Sequence, residues 1–99
     1  MHNEYSVSEI TADLSHIIGI PETMLIHKGL ISFIEKEIRL ADADIADLMD
    51  RYNVASKEDL YEAIKSKNIS SHPAWEDYIT WKNKEKYIND LKVRLGRLP

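Results

Sequence analysis

Residues 20–52 read IPETMLIHKGLISFIEKEIRLADADIADLMDRY, and the spacing of their apolar side chains decides the fold. Ile20, Met24, His27, Ile31, Ile34, Ile38, Ala41, Ile45, Leu48 and Tyr52 follow one another at intervals of four and three residues throughout. That rhythm keeps every member on one edge of an α-helix, and such an edge is the seam of a helix lying along another helix. Pro21 marks the start, because the first helical position needs no amide donor. Glu22 suits the positive end of the helix dipole. The predicted helix over 21–52 is about 48 Å long at 1.5 Å per residue.

The punctuation continues outward from this stretch. On the N-terminal side, Ser6 and Glu9 form a capping box. Val7, Ile10, Leu14 and Ile17 follow as one stripe, and Gly19 suits the left-handed position after a helix end. A helix over 7–18 is predicted. The alternation from Glu4 to Ile10 is the one segment that also reads as a short edge strand. On the C-terminal side, Asn53 and Val54 end the long helix, and Ser56 with Asp59 makes a second capping box. A short helix over 57–67 then turns Leu60, Ala63 and Ile64 inward, with Val54 stapled onto Leu60. Residues 68–72 connect it to a last helix, which starts at Pro73 and runs to about Leu95. Its seam is Trp81, Lys84, Ile88, Leu91, Leu95 and Leu98, widened at the start by Trp75, Tyr78 and Ile79. Gly96 and Pro99 mark fraying.

The expected fold is all-α. It is an elongated antiparallel hairpin of the helices over 21–52 and 73–95, with a short corner helix and an N-terminal helix as a flap. Residues 1–99 form one helical domain, 1–20 the flap and 21–99 the hairpin. Two long helices leave little interior, and association is the usual remedy.

Composition agrees. The chain is 43% apolar and 30% charged, as expected of a folded helical protein. The absence of cysteine excludes a disulfide scaffold and thiolate metal sites, and fits a reducing, cytoplasmic setting. No signal peptide is visible, and no apolar run reaches the length of a membrane span. The net charge of −4 is unevenly spread. Residues 35–62 carry nine acids and four bases, whereas Lys82, Lys84, Lys86, Lys92, Arg94 and Arg97 face only Glu85 and Asp90 in residues 82–97. Charge complementarity between antiparallel helices accounts for this. The alternative is a basic helix that touches nucleic acid, which an acidic chain supports only weakly.

Motifs for catalysis and metal binding do not emerge. Asp42, Asp44, Asp47 and Asp50 lack the glycine and glutamate of a calcium loop, and no Glu-x-x-His pair occurs. The run reads as a solvated helix face. Of His2, His16, His27 and His72, only His27 occupies a seam position, where a polar side chain fixes register or oligomeric state. There is no nucleophile elbow and no Gly-rich phosphate loop. No enzyme activity, cofactor or metal is expected.

Two surfaces remain. The long helix carries a second apolar stripe, Ile26, Leu30 and Phe33, in its first half only. That half is expected to be buried on two sides, by the flap folding back and by a second subunit. The expected dimer interface is Ile26, His27, Leu30, Phe33 and Ile34. Trp75, Tyr78 and Trp81 are the densest aromatic patch and the expected anchors for a partner protein. The bland reading is that they wedge the corner helix against the hairpin. A helix-turn-helix reading fails on its inventory, since the long helix begins with Glu22, Thr23, His27 and Lys28.

Residues 14–21 (LSHIIGIP) and 28–39 (KGLISFIEKEIR) together resemble the N-terminal pattern of small prokaryotic antitoxins. Residues 51–60 (RYNVASKEDL) and 72–79 (HPAWEDYI) look like small archaeal-type helical proteins encoded beside toxin genes. The resemblance implies a dimeric antitoxin that wraps a toxin as its partner. The chain departs from the DNA-binding members of that group in lacking a basic ribbon. A non-catalytic interaction module is therefore expected, with a DNA-binding regulator using the N-terminal helices and the basic C-terminal helix as the alternative.

Overall fold

In the computed structural model, which describes residues 4–99, the chain forms four helices and, among the described residues, no strand. They are α1 (Val7–Ile18), α2 (Glu22–Tyr52), α3 (Lys57–Lys65) and α4 (Ser71–Arg97). Residues 4–6 lead into α1 without pairing to anything as a strand. The cap decides this, because the Ser6 hydroxyl accepts from the Glu9 amide at 3.1 Å. Ser56 caps α3 in the same way from the Asp59 amide, also at 3.1 Å. Gly19 closes α1 at φ 82°, where only glycine is unstrained, and the Ser15 hydroxyl bonds the Ile20 carbonyl across the turn. Pro21 sits one residue earlier than the sequence suggests. It is the cap of α2 in extended geometry and not its first helical residue. His72 is also extended, so the regular part of α4 begins at Pro73.

The long helix is unbroken over 31 residues. It lies antiparallel to α4, as its polar contacts show in sequence. Arg51 and Tyr52 meet Asp77, Asp44 meets Lys84 at 2.9 Å, and Glu37 meets the Tyr87 hydroxyl at 2.7 Å. The seam therefore pairs within one chain. Ala41, Ile45 and Leu48 from α2 pack with Ala74, Trp81 and Ile88 from α4, and Leu60 of α3 closes the corner. Ile38, Met49, Tyr52, Val54, Ile64, Ile69 and Tyr78 pack around this cluster. Trp81 and Leu60 are fully buried, and the Trp81 indole donates to Glu85 at 3.1 Å.

The molecule measures 60 × 38 × 16 Å. A thickness of 16 Å is less than two helix diameters of about 10–12 Å each, so the helices form a single layer. The radius of gyration, 20.1 Å, exceeds the about 13 Å of a compact domain of this length. The core is one cluster at the corner end, and the opposite end has none.

At that opposite end the structure departs from the sequence reading. The chain bends by 103° between α1 and the helix that follows, and α1 buries none of its residues. It does not fold back as a flap, so the first half of α2 is covered on neither side by its own chain. Leu95 of α4 lines a shallow groove with Glu35, Ile38 and Arg39. Two residues later α4 ends, and Leu98 is extended. From Glu22 to about Phe33, α2 runs on without a helical neighbour.

Candidate interaction surface

The overhanging arm, α1 with the first three turns of α2, exposes most of the chain's large apolar side chains. On α1 these are Val7, Ile10, Leu14, Ile17 and Ile18, with Val7 84% exposed. On α2 they are Met24, Ile26, Leu30 and Phe33, with Phe33 60% exposed. On average the nine are about half exposed. At about 150 Å² or more for a large side chain, they present on the order of 700 Å² of apolar surface. A typical monomer's largest patch is about 300–600 Å², and each side of a standard interface buries about 800 Å².

Of the five residues assigned to a dimer interface, Ile26, Leu30 and Phe33 share this free surface, and His27 is half-buried on the adjoining seam edge. Ile34 does not belong with them. It is 9% exposed, because it lies on the seam where its own chain already covers it. Ile20 and Ile31 are half-buried, and the seam rhythm continues through them past the end of α4. Leu40, which stood outside the seam in sequence, lies two turns beyond Phe33 on the same stripe and is 52% exposed.

The aromatic patch divides differently from the sequence reading. Trp81 is 0% exposed and belongs to the core, so it is no anchor for a partner. Trp75 is 45% exposed and stacks on Tyr78, with ring centroids 5.4 Å apart and planes 20° apart. Tyr61 of α3 completes the group, 5.4 Å from Tyr78 and 6.3 Å from Trp75. Tyr61 was missed because it stands on a charged helix with no aromatic neighbour in sequence. The three rings wedge α3 against α4, which uses up much of their surface.

Electrostatics tie the corner together. Lys57 reaches Glu58 at 2.6 Å and Glu85 at 2.7 Å. Both contacts raise its pKa, Glu58 foremost, and Lys57 in turn lowers that of Glu58. Burial raises the Tyr52 phenol, helped by its bond to Asp77, and Asp77 also raises Arg51. The Glu37 carboxylate raises Tyr87. These groups sit on bridges between α2, α3 and α4, and none of them faces a cleft.

Among the described residues no three of His, Asp and Glu converge as a metal site. His16, His27 and His72 stand far apart in sequence, and His2 lies outside the described residues. Asp42, Asp44, Asp47 and Asp50 are all exposed, with Asp44 held by Lys84. No single helix among the described residues is long and apolar enough to cross a membrane.

No curated protein and no solved structure is significantly similar to the chain. Residues 1–98 match the family described as the uncharacterized protein MJ0235 family, and the chain belongs to it.

Proposed function

We propose that this chain is a non-catalytic protein-interaction module that pairs with a second copy through its N-terminal arm. The observation that carries the reading is the apolar surface of the arm, on the order of 700 Å². It matches one side of a standard interface of about 800 Å² per partner and is too large to be incidental on a monomer. A plate one helix thick has no interior in which to bury it, so a second chain is the natural cover.

An antitoxin-like role, in which the paired chains hold a partner protein, is the wider reading to which such a dimer belongs. Trp75 and Tyr78 are its candidate anchors, since Trp and Tyr dominate binding energy at interfaces. The DNA-binding alternative has less behind it. Lys84 is engaged by Asp44 and Lys86 by Asp90, which leaves fewer free cations on α4 for phosphates.

Light scattering after size-exclusion chromatography, from low micromolar to millimolar chain, tests the pairing. A dimer whose fraction rises with concentration is expected, and Ile26→Asp with Leu30→Asp is expected to abolish it. A monomer throughout that range would refute the reading.

A further inference from the structure

The stripe that leaves α2 uncovered also contains Gly29. It lies three residues after Ile26 and four before Phe33, roughly 100° around the helix from the seam. Glycine is the poorest helix former after proline, yet Gly29 sits mid-helix with ordinary helical geometry. Nothing within its own chain requires it. A methyl group built there meets no atom within 4 Å. Space left open in the middle of an apolar stripe lets another backbone or a large side chain come close. One turn away stands Phe33, the bulkiest side chain of the stripe, 60% exposed.

These two positions complement each other under one symmetry only. In a two-fold antiparallel pair of α2 helices centred near Ile31, position 29 of one copy faces position 33 of the other, and the match occurs twice. A two-fold interface must be self-complementary in this way. We propose that the partner seated on the arm is a second copy of this chain, with α2 crossing α2 antiparallel and Phe33 of each copy lying over Gly29 of the other. This rests on the dimer reading above and specifies its geometry. In the same register Leu40 lies opposite residue 22 of its mate, beside the bend into α1. That placement gives cover to both Leu40 and the α1 stripe. A lipid surface is the competing occupant, but the arm suits it poorly. Residues 4–34 carry Glu4, Glu9, Asp13 and Glu22 against Lys28 alone, whereas interfacial helices are rich in Lys and Arg.

The test exchanges the sizes of the two side chains. Leucine at position 29 is a better helix former and meets open space in the isolated chain, so Gly29→Leu is expected to keep helicity and thermal stability. It is also expected to raise the dimer dissociation constant at least a hundredfold. Adding Phe33→Ala to Gly29→Leu moves the large side chain to the other position and is expected to restore pairing to within about tenfold of the original. Orientation is read independently by oxidising single-cysteine variants of this cysteine-free chain. Leu30→Cys lies near the two-fold axis and is expected to form a disulfide-linked dimer. Leu40→Cys is expected not to, because the two copies of residue 40 are about 27 Å apart along the axis at 1.5 Å per residue. If Gly29→Leu dimerises as well as the unaltered chain, or Leu40→Cys cross-links efficiently, this geometry is overturned while the dimer stands. A chain that stays monomeric and floats with phosphatidylcholine vesicles overturns both.

Discussion

Replacing Trp81 with alanine separates the core from the docking surface more sharply than any other single change. Trp81 is fully buried and is the largest member of the only buried cluster among the described residues. It touches the place where all three packed helices meet, since that cluster draws on α2, α3 and α4. Emptying such a site costs about 3–5 kcal/mol, with the higher values where the surroundings cannot collapse. A chain of this length has about 5–15 kcal/mol of stability in total. With eight buried apolar side chains and a thickness of one layer, it belongs toward the lower end. Trp81→Ala is therefore expected to lose about 4 kcal/mol and leave the hairpin close to unfolded. Trp81→Phe keeps most of the ring and loses the bond to Glu85, so about 1–2 kcal/mol is expected. Urea titration followed by far-ultraviolet circular dichroism, at one fixed chain concentration, gives both values. Trp75→Phe leaves Trp81 as the sole tryptophan, and its emission is expected to be blue-shifted in the native state. A loss below about 1 kcal/mol for Trp81→Ala, or emission resembling free tryptophan, would show that the seam does not pass through this residue.

Two further outcomes follow from the bridges and caps. Glu58 and Glu76 have lowered pKa values, from Lys57 in the first case and from a backbone hydrogen bond and His72 in the second. Their contribution is present above pH 4.5 and lost as the pH falls through their folded values. Tyr52, Tyr87 and Lys57 have raised values, so their contribution is present below about pH 10 and lost as the pH rises through the folded values. The urea midpoint is expected to be flat between these limits, and Tyr52→Phe to lower it by about 1 kcal/mol at pH 7, less than a fully buried bond to a charged acceptor would. An alkaline limb unchanged by Tyr52→Phe with Lys57→Met would contradict this. Ser56→Ala is expected to cost about 1 kcal/mol of global stability. Ser6→Ala is expected to speed amide hydrogen exchange in α1 alone, because α1 buries nothing; equal effects on the whole chain would contradict that.

The helices were legible because a repeat of three and four, once bounded by caps, admits only one secondary structure. Ile34, Ala41, Ile45 and Leu48 take their places as that repeat requires. What the pattern does not encode is which neighbour covers each face. Ile10, Leu14 and Ile17 form the same stripe whether α1 folds back or turns away, and the turn at Gly19 sets its direction. Ile34 was grouped with Phe33 because the two adjoin in sequence, but they point to different edges. Trp81 carried two readings, as seam member and as aromatic anchor. Its heptad mate is Ala74, which is 1% exposed, so the buried edge passes through a small residue that draws no notice. Trp75, one step round the helix, is left partly in solvent.

The arm is shaped before anything covers it. A helix of 12 residues is marginal alone, and α1 is that length with nothing buried. Its two ends are nonetheless specified, by Ser6 at the start and by Gly19 with Ser15 at the close. The overhang of α2 needs no nucleation of its own, because it extends a helix already held by α4. Its direction is therefore fixed by Ile38, Ala41, Ile45 and Leu48, more than a turn away. A docking surface held in this way loses little further freedom on binding, and affinity depends on that loss as much as on area. The seam residues Ile20, Met24, His27 and Ile31 thus continue, beyond the reach of α4, an edge whose other half folds the hairpin. One rhythm serves folding at one end and association at the other, and the position at which α4 ends divides the two.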